Sequence, residues 1–497
     1  MAGAKSAEVY HVLSKKEKWN LVIFVSLAGC FSPLSSNIYF PAIDTISSDL
    51  GINASLVALT ITVYMVVQGI APSIFGTFSD TCGRRLTFTI SLTIYTAANL
   101  ALAFTSNYAM LMALRGLQAA GSAATISISA GVIADIASPG ERGGFMGTNA
   151  GVRMSGQAIG PIIGGALNSA WGFRSIFWLL FVMSVIVMGV LLICLPETQR
   201  SIAGNGSIPL KGFHKPLTYI IKPPTAWSEH SQGDRPTKPR ASISFKKAFS
   251  PLAYIFQKDI AALLAWGAIA YTAWSMVTSS TTPMLLLGFP FLTQWQIGLC
   301  FLPNGVGCVC GSLTTGWLLD YSFRRVEARY KAERGIAPED NVTGTRDFPY
   351  VQARLRLMPV FSTILVVCLA LYGPSFEFND LNRHFTPNLA APLILQFVIA
   401  YTATAIFNIN STVLIDCFPD RPASATALNN LCRCLLGAAG VSAIQPMIGA
   451  LRAMKAFLIV AGVVLLFTPL VWVEGKWGEK WRREREDKLK GHQDGGN

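Results

Sequence analysis

Charged side chains are scarce in this chain. Asp, Glu, Lys and Arg together make up 13% of its 497 residues and histidine occurs five times, while apolar residues make up 52% and the mean hydropathy is +0.44. A water-soluble domain carries roughly twice that share of charge, so the composition excludes an ordinary globular protein and points to a membrane. Acidic residues are absent from the interior of every long apolar run: Asp44, Asp135, Asp259 and Asp416 stand at run ends, and His11, His214, His230, His384 and His492 lie outside the runs. No obvious proton carrier is therefore left inside the membrane. The ten cysteines are scattered, and the pairs Cys308/Cys310 and Cys432/Cys434 would point to different faces of a helix. That argues against both a disulfide framework and a metal site. Nor is there a nucleophile triad or a phosphate-cradling loop, so the chain does not read as an enzyme and needs no cofactor. Its first residues, MAGAKSAEVYHVLSKKEKWN, lack the short apolar core and small-residue cleavage site of a removable signal.

What the chain does have is long apolar runs. A hydrocarbon core roughly 30 Å thick takes about 20 residues of helix to cross. About twelve such runs lie near 20–43, 57–79, 86–105, 109–134, 143–168, 174–195, 259–287, 295–319, 357–375, 391–415, 423–449 and 454–473. The expected fold is an all-α membrane protein with twelve transmembrane helices in two pseudo-symmetric six-helix bundles. The bundles occupy 20–195 and 259–473, after an N-terminal tail at 1–19. A linker at 196–258 joins them, a polar loop at 320–356 interrupts the second, and a C-terminal tail spans 474–497. Both internal polar stretches lack helical or strand periodicity and read as disordered. The net charge of +13 invites a nucleic-acid reading, but 33 of the 40 Lys and Arg fall in the tails and connections on one side. That pattern puts both termini in the cytosol, with the lipid bilayer rather than nucleic acid as the partner.

The two bundles repeat each other. GTFSDTCGRR places Gly76, Asp80, Arg84 and Arg85 at offsets that GWLLDYSFRR reproduces with Gly316, Asp320, Arg324 and Arg325. Asp135, Arg142, Asn149 and Arg153 are echoed by Asp416, Arg421, Asn429 and Arg433, so both halves carry Asn-x-x-x-Arg at the start of their fifth span. Parallel six-span repeats bind substrate at the repeat interface near the midplane.

With these motifs the sequence resembles the major facilitator superfamily over nearly its whole length. GTFSDTCGRR, with Gly83 inside it, is similar to the family's loop between spans two and three, which implies a gating role for Asp80, Arg84 and Arg85. LRGLQAAGSAA (Arg115, Gln118, Gly121) is similar to the fourth-span motif, although Ala119 stands where a glycine is usual. Gly156, Gly160, Pro161, Gly164 and Gly165 match a fifth-span pattern associated with antiporters and exporters. Within the superfamily, FSPLSSNIYFPA, LTITVYMVVQG, WSMVTSSTT and SATALNNLCRCLLGAAGV resemble the fungal twelve-span drug:proton antiporters, and more closely the filamentous-fungal citrate exporters. The resemblance implies a plasma-membrane exporter working by alternating access.

The charges inside the spans bear on the cargo. Arg115, Arg153 and Arg433 fall within apolar runs, and three arginines facing lipid would cost about 8–10 kcal/mol at about 2.5–3.5 each. They are expected to face a cavity or a partner, and with no acidic residue among them they favour an anion, whose carboxylates match the planar guanidinium fork. Arg153 and Arg433 are the expected grip on a di- or tricarboxylate. Gln157, one turn from Arg153, is expected to donate its amide, with Asn429, Tyr271 and Trp274 lining the site. Arg115 either contacts substrate, holds helices together or assists proton movement, so proton coupling stays open. The glycines at 156, 160 and 164 read as a close-packing surface. The resulting picture is a monomer that carries a small anionic molecule such as citrate. A drug or acidic-metabolite efflux pump and a non-transporting sensor remain the alternatives.

Overall fold

The computed structural model describes residues 11–137, 139–210, 212–221, 255–336, 349–381, 388–417 and 422–494. No strand occurs among them. The long helices of the first half are α1 (Lys15–Asn37), α2 (Ala54–Cys82), α3 (Arg84–Ala103), α4 (Tyr108–Ile136), α5 (Pro139–Trp171) and α6 (Arg174–Cys194). Those of the second are α7 (Lys258–Gly288), α8 (Leu302–Arg334), α9 (Met358–Tyr372), α10 (Ala390–Cys417), α11 (Pro422–Phe467) and α12 (Pro469–Asp494). Short polar side chains start some of them, where free N–H groups need acceptors. Ser14 and Glu17 form a reciprocal capping box at α1, and Asn107 accepts from the Met110 N–H at 2.8 Å to open α4.

Among the described residues, ten helical runs are long and apolar enough to cross a membrane. The expectation of twelve differs at two places. The 33-residue α5 is long enough, but Arg153, Gln157, Pro161 and its many glycines keep it less apolar than the ten. A single run from Thr426 to Arg485 covers the stretches read as the last two spans, and its chain turns at Arg452, with φ 64° and ψ 168°.

The chain divides into two compact units, Met1–Ile52 with Val63–Phe249 and Asn53–Thr62 with Ser250–Asn497. Within the first, α1 packs on α4, α5 and α6, and α3 packs on α4 and α6. Within the second, α7 packs on α10 and α11, as does α9, while α8 lies along α10. The α1/α5 and α7/α11 pairs both rest on glycine. Gly156 faces Cys30 and Leu34 of α1, a Cβ on Gly160 would stand 3.1 Å from the Ile38 nitrogen, and Gly164 meets the Ile38 carbonyl. Gly440, seven residues beyond Arg433 as Gly160 is beyond Arg153, faces Thr272 and Met276 of α7. Absent side chains let the backbones approach, which is how helices associate where lipid removes the hydrophobic drive. Val182, Val185, Ile186 and Ile193 on α6 stay exposed, as suits a lipid-facing surface.

The polar stretches are more ordered than their composition implies. In 320–356, α8 continues as helix to Arg334 and a further turn spans Tyr350–Leu355, while 337–348 lie outside the described residues. The i,i+4 pair Glu327–Lys331, at 2.9 Å, supports that extension, and Tyr330 packs with Phe323, Val326 and Ile336. In 196–258, the described residues 196–210 and 212–221 are held within the first unit through Glu197, and 211 and 222–254 lie outside the described residues. The stretch read as a C-terminal tail is helical to Asp494.

Candidate functional site

Arg84 and Arg85, where α2 meets α3, sit in a buried knot with Asp80 exposed at its edge. Gly83 breaks the helix with φ 106° and ψ 154°, a left-handed conformation that a side chain resists. The break turns Arg84 and Arg85, 8% and 5% exposed, inward. Arg84 reaches Asp80 at 2.6 Å and Asp135, at the end of α4, at 2.9 Å. Arg85 donates to the carbonyls of Leu192, Leu195 and Phe213, satisfying the C-terminal end of α6, which favours a cation. Glu197 closes the knot by accepting from the Arg84 N–H at 2.8 Å and lying 3.1 Å from His214. Burial pushes the Glu197 carboxyl up, but the His214 bond and the Gln199 and Arg84 N–H groups outweigh it and hold the group below its ordinary range. Gly76 on α2 lies over Ser127 of α4, 3.9 Å from the place of its missing Cβ. In the second half Arg324 and Arg325 are exposed on α8, and the side chain of Asp320 lies outside the described residues.

Arg115 is wholly buried in the first unit. Its guanidinium sits between the rings of Tyr39 and Tyr64, 4.3 and 4.4 Å from their centroids. Nη1 donates to Gln118 Oε1 at 2.6 Å and to the Ser35 carbonyl at 3.3 Å, whereas Nε and Nη2 have no hydrogen-bond partner. Gln118 in turn donates to Asn99 at 2.7 Å. In this conformation the residue is enclosed by α1, α2 and α4 and does not line an open cavity.

Arg433 is built on the same plan but is half-buried. Its guanidinium lies over Tyr271 of α7 and Phe407 of α10, 4.8 and 4.7 Å from the ring centroids, and Nε and Nη2 donate to Asn430 Oδ1 at 3.2 and 2.8 Å. Each ring contact contributes on the order of 0.5–2 kcal/mol. The arginine's partners are an amide and two rings, all neutral, so its charge is oriented without being neutralised. Asn429 is buried, but Asn430 makes the contact; a spacing of three puts it on the arginine's face. Asn430 and Phe407 escaped the repeat comparison, which aligned Asn429. Trp274 is 7% exposed and donates its indole N–H to Asn304 at 2.8 Å.

In the first half Arg153 is half-buried and runs its Cγ and Cδ across Gly29 of α1. Asn149, the asparagine of the same Asn-x-x-x-Arg motif, donates to Ser129 at 3.4 Å. Gln157 is half-buried one turn further along α5, and Pro161 removes the N–H that would bond the Gln157 carbonyl. Pro161, Gly164 and Gly165 are buried.

The chain has relatives of known character. The family model of the Major Facilitator Superfamily matches residues 25–441. Citrate exporter 1 of Aspergillus niger is 47% identical, with 98% of this chain and 91% of that protein covered. The MFS antiporter QDR2 of Candida albicans is 32% identical over 92% of this chain and 88% of its own. A solved structure, the human organic anion transporter MFSD10, matches with a TM-score of 0.55 at 16% identity, covering 91% of this chain and 99% of that one; this likeness concerns the fold.

Proposed function

From the premise that the chain belongs to the Major Facilitator Superfamily, we propose that it is a secondary transporter exporting a citrate-like organic acid by alternating access. The identity to a citrate exporter over almost the whole of both chains supports the cargo class. The observation that carries the chemistry is Arg433, a half-exposed guanidinium held in place by Asn430, Tyr271 and Phe407. Such a group binds a carboxylate in a forked geometry without first having to break an ion pair. Arg153, with Gln157 beside it, offers a guanidinium of the first unit to a carboxylate. Arg115 acts by positioning Tyr39, Tyr64 and Gln118. The Arg84 knot, tying the ends of α2 and α4 to the start of α3, serves gating. The protein works as a monomer in the plasma membrane with its termini in the cytosol, needs no cofactor and binds no nucleic acid.

Arg433→Ala and Arg153→Ala are each expected to abolish organic-acid export while the protein still reaches the plasma membrane, read by acid profiling of the medium and by surface labelling. Arg433→Lys, which keeps the charge but loses the fork, should export weakly. Unchanged export in both alanine variants would overturn the reading. The second reading is a drug or acidic-metabolite efflux pump, supported by the resemblance to an MFS antiporter, and untargeted profiling of the same strains separates the two.

A further inference from the structure

Near the start of α12, Glu474 is 2% exposed and neither carboxylate oxygen has a hydrogen-bond partner. The side chain lies against Gly478, where an added Cβ would press on it and on Val351. A small cavity beside it is lined by Ala262, Leu263, Trp266, Leu355, Met358 and Leu470. The indole N–H of Trp266, also 2% exposed, is unpartnered too. The nearby cation is already engaged. Arg485 Nη1 lies 3.5 Å from Asp259 Oδ2, at the start of α7, and Nη2 donates to the Cys417 carbonyl at 3.2 Å. Asp259 is itself 2% exposed, so two buried carboxyl groups stand near one guanidinium, which is already in contact with Asp259 and the Cys417 carbonyl. Other charged or titratable groups lie around Glu474. On its own helix Arg482 pairs with Glu479, which also lies 4.0 Å from Arg483; α10 presents Cys417; on the Tyr350–Leu355 turn Arg354 lies over Phe323.

An ionised carboxylate without hydrogen bonds in an apolar enclosure is among the most costly groups a fold can hold, and such a group takes up a proton instead. We propose that Glu474 is a proton-binding site of the second half, held as the neutral acid in this conformation and ionising when water reaches it. On ionisation its O–H bond breaks, the proton passes to water, and the new carboxylate competes with Asp259 for Arg485. The site would supply the proton carrier that the apolar runs themselves lack.

Infrared spectroscopy of the full-length protein in lipid nanodiscs, titrated from neutral to alkaline pH, tests this without any transport measurement. A protonated-carboxyl band is expected at neutral pH, lost on alkalinisation and missing from Glu474→Gln. In Asp259→Asn the band should titrate at lower pH, because a repelling charge is gone and Arg485 is released to Glu474. Absence of the band from the wild-type protein, or a band that both variants leave unchanged, would overturn the proposal. Should Glu474→Gln fail to accumulate, Asp259→Asn decides alone: a shifted titration supports the site and an unshifted one overturns it. Because no cargo enters the measurement, its failure would leave the organic-acid reading standing, and the converse holds for the export assays.

Discussion

The two copies of the Gly-Asp-Arg-Arg segment carry the same charges at the same spacing and fold differently. In the first, Gly83 adopts φ 106°, the helix breaks, and Arg84 and Arg85 turn into a buried knot. In the second, Phe323 stands at the corresponding position, α8 runs unbroken to Arg334, and Arg324 and Arg325 stay exposed. One residue decides the difference: glycine tolerates the left-handed backbone and phenylalanine does not. The same arginine pair is therefore a structural tie in one half and a solvated helix face in the other.

Breaking the tie should have the largest consequence. Arg84→Ala strands the mostly buried Asp135 and is expected to cost about 3–5 kcal/mol, as loss of one partner from a buried ion pair does; denaturation of the purified protein in detergent reads it. Gly83→Ala should follow at about 1–3 kcal/mol from backbone strain, and its new Cβ would also meet Glu197 Cδ at 2.8 Å and Ile202 Cδ1 at 3.2 Å. The equivalent second-half change, Arg324→Ala, should stay within about 0.5 kcal/mol, as exposed substitutions do. Equal losses for Arg84→Ala and Arg324→Ala would erase the distinction between the copies.

Acid sharpens the contrast more gently. The folded Glu197 carboxyl titrates below its ordinary value, so its contribution is present above the unfolded-state pKa, about 4.3, and is lost as the pH falls through the lower folded one. Residues 196–221 should gain protease sensitivity over that acid range, and Glu197→Gln should flatten the response. The Tyr350–Leu355 turn after α8 carries no acidic residue of its own and packs near Glu474, which is held as the neutral acid, so it should show no matching step in that range.

Much of the architecture was legible in the chain. Apolar runs of membrane-spanning length, the one-sided distribution of Lys and Arg, and the repeat with an offset of 280 residues between Arg153 and Arg433 all follow from residue type and spacing. The helical extension of α8 was not. Its residues are mostly charged, and its apolar stripe, Phe323, Val326 and Tyr330, is too short to stand out beside the pairs such as Glu327–Lys331 that also support it. Asn430 and Phe407 were equally hidden, because a ring from α10 and an amide from α11 meet around Arg433 only after the helices pack.

The sequence by itself determined that the chain crosses a membrane, that it is built twice over, and that arginines without acidic neighbours in the chain lie inside its spans. Hydropathy and charge act locally and at low resolution, so they survive in a string of letters. Only the tertiary structure decided which of those charges are enclosed and by what. It packed Arg115 between two tyrosines, gave Arg433 neutral partners, and buried Glu474 on a helix whose stretch had read as a C-terminal tail. Burial and pairing depend on side chains far apart in sequence, and no spacing rule brings those together before the helices do.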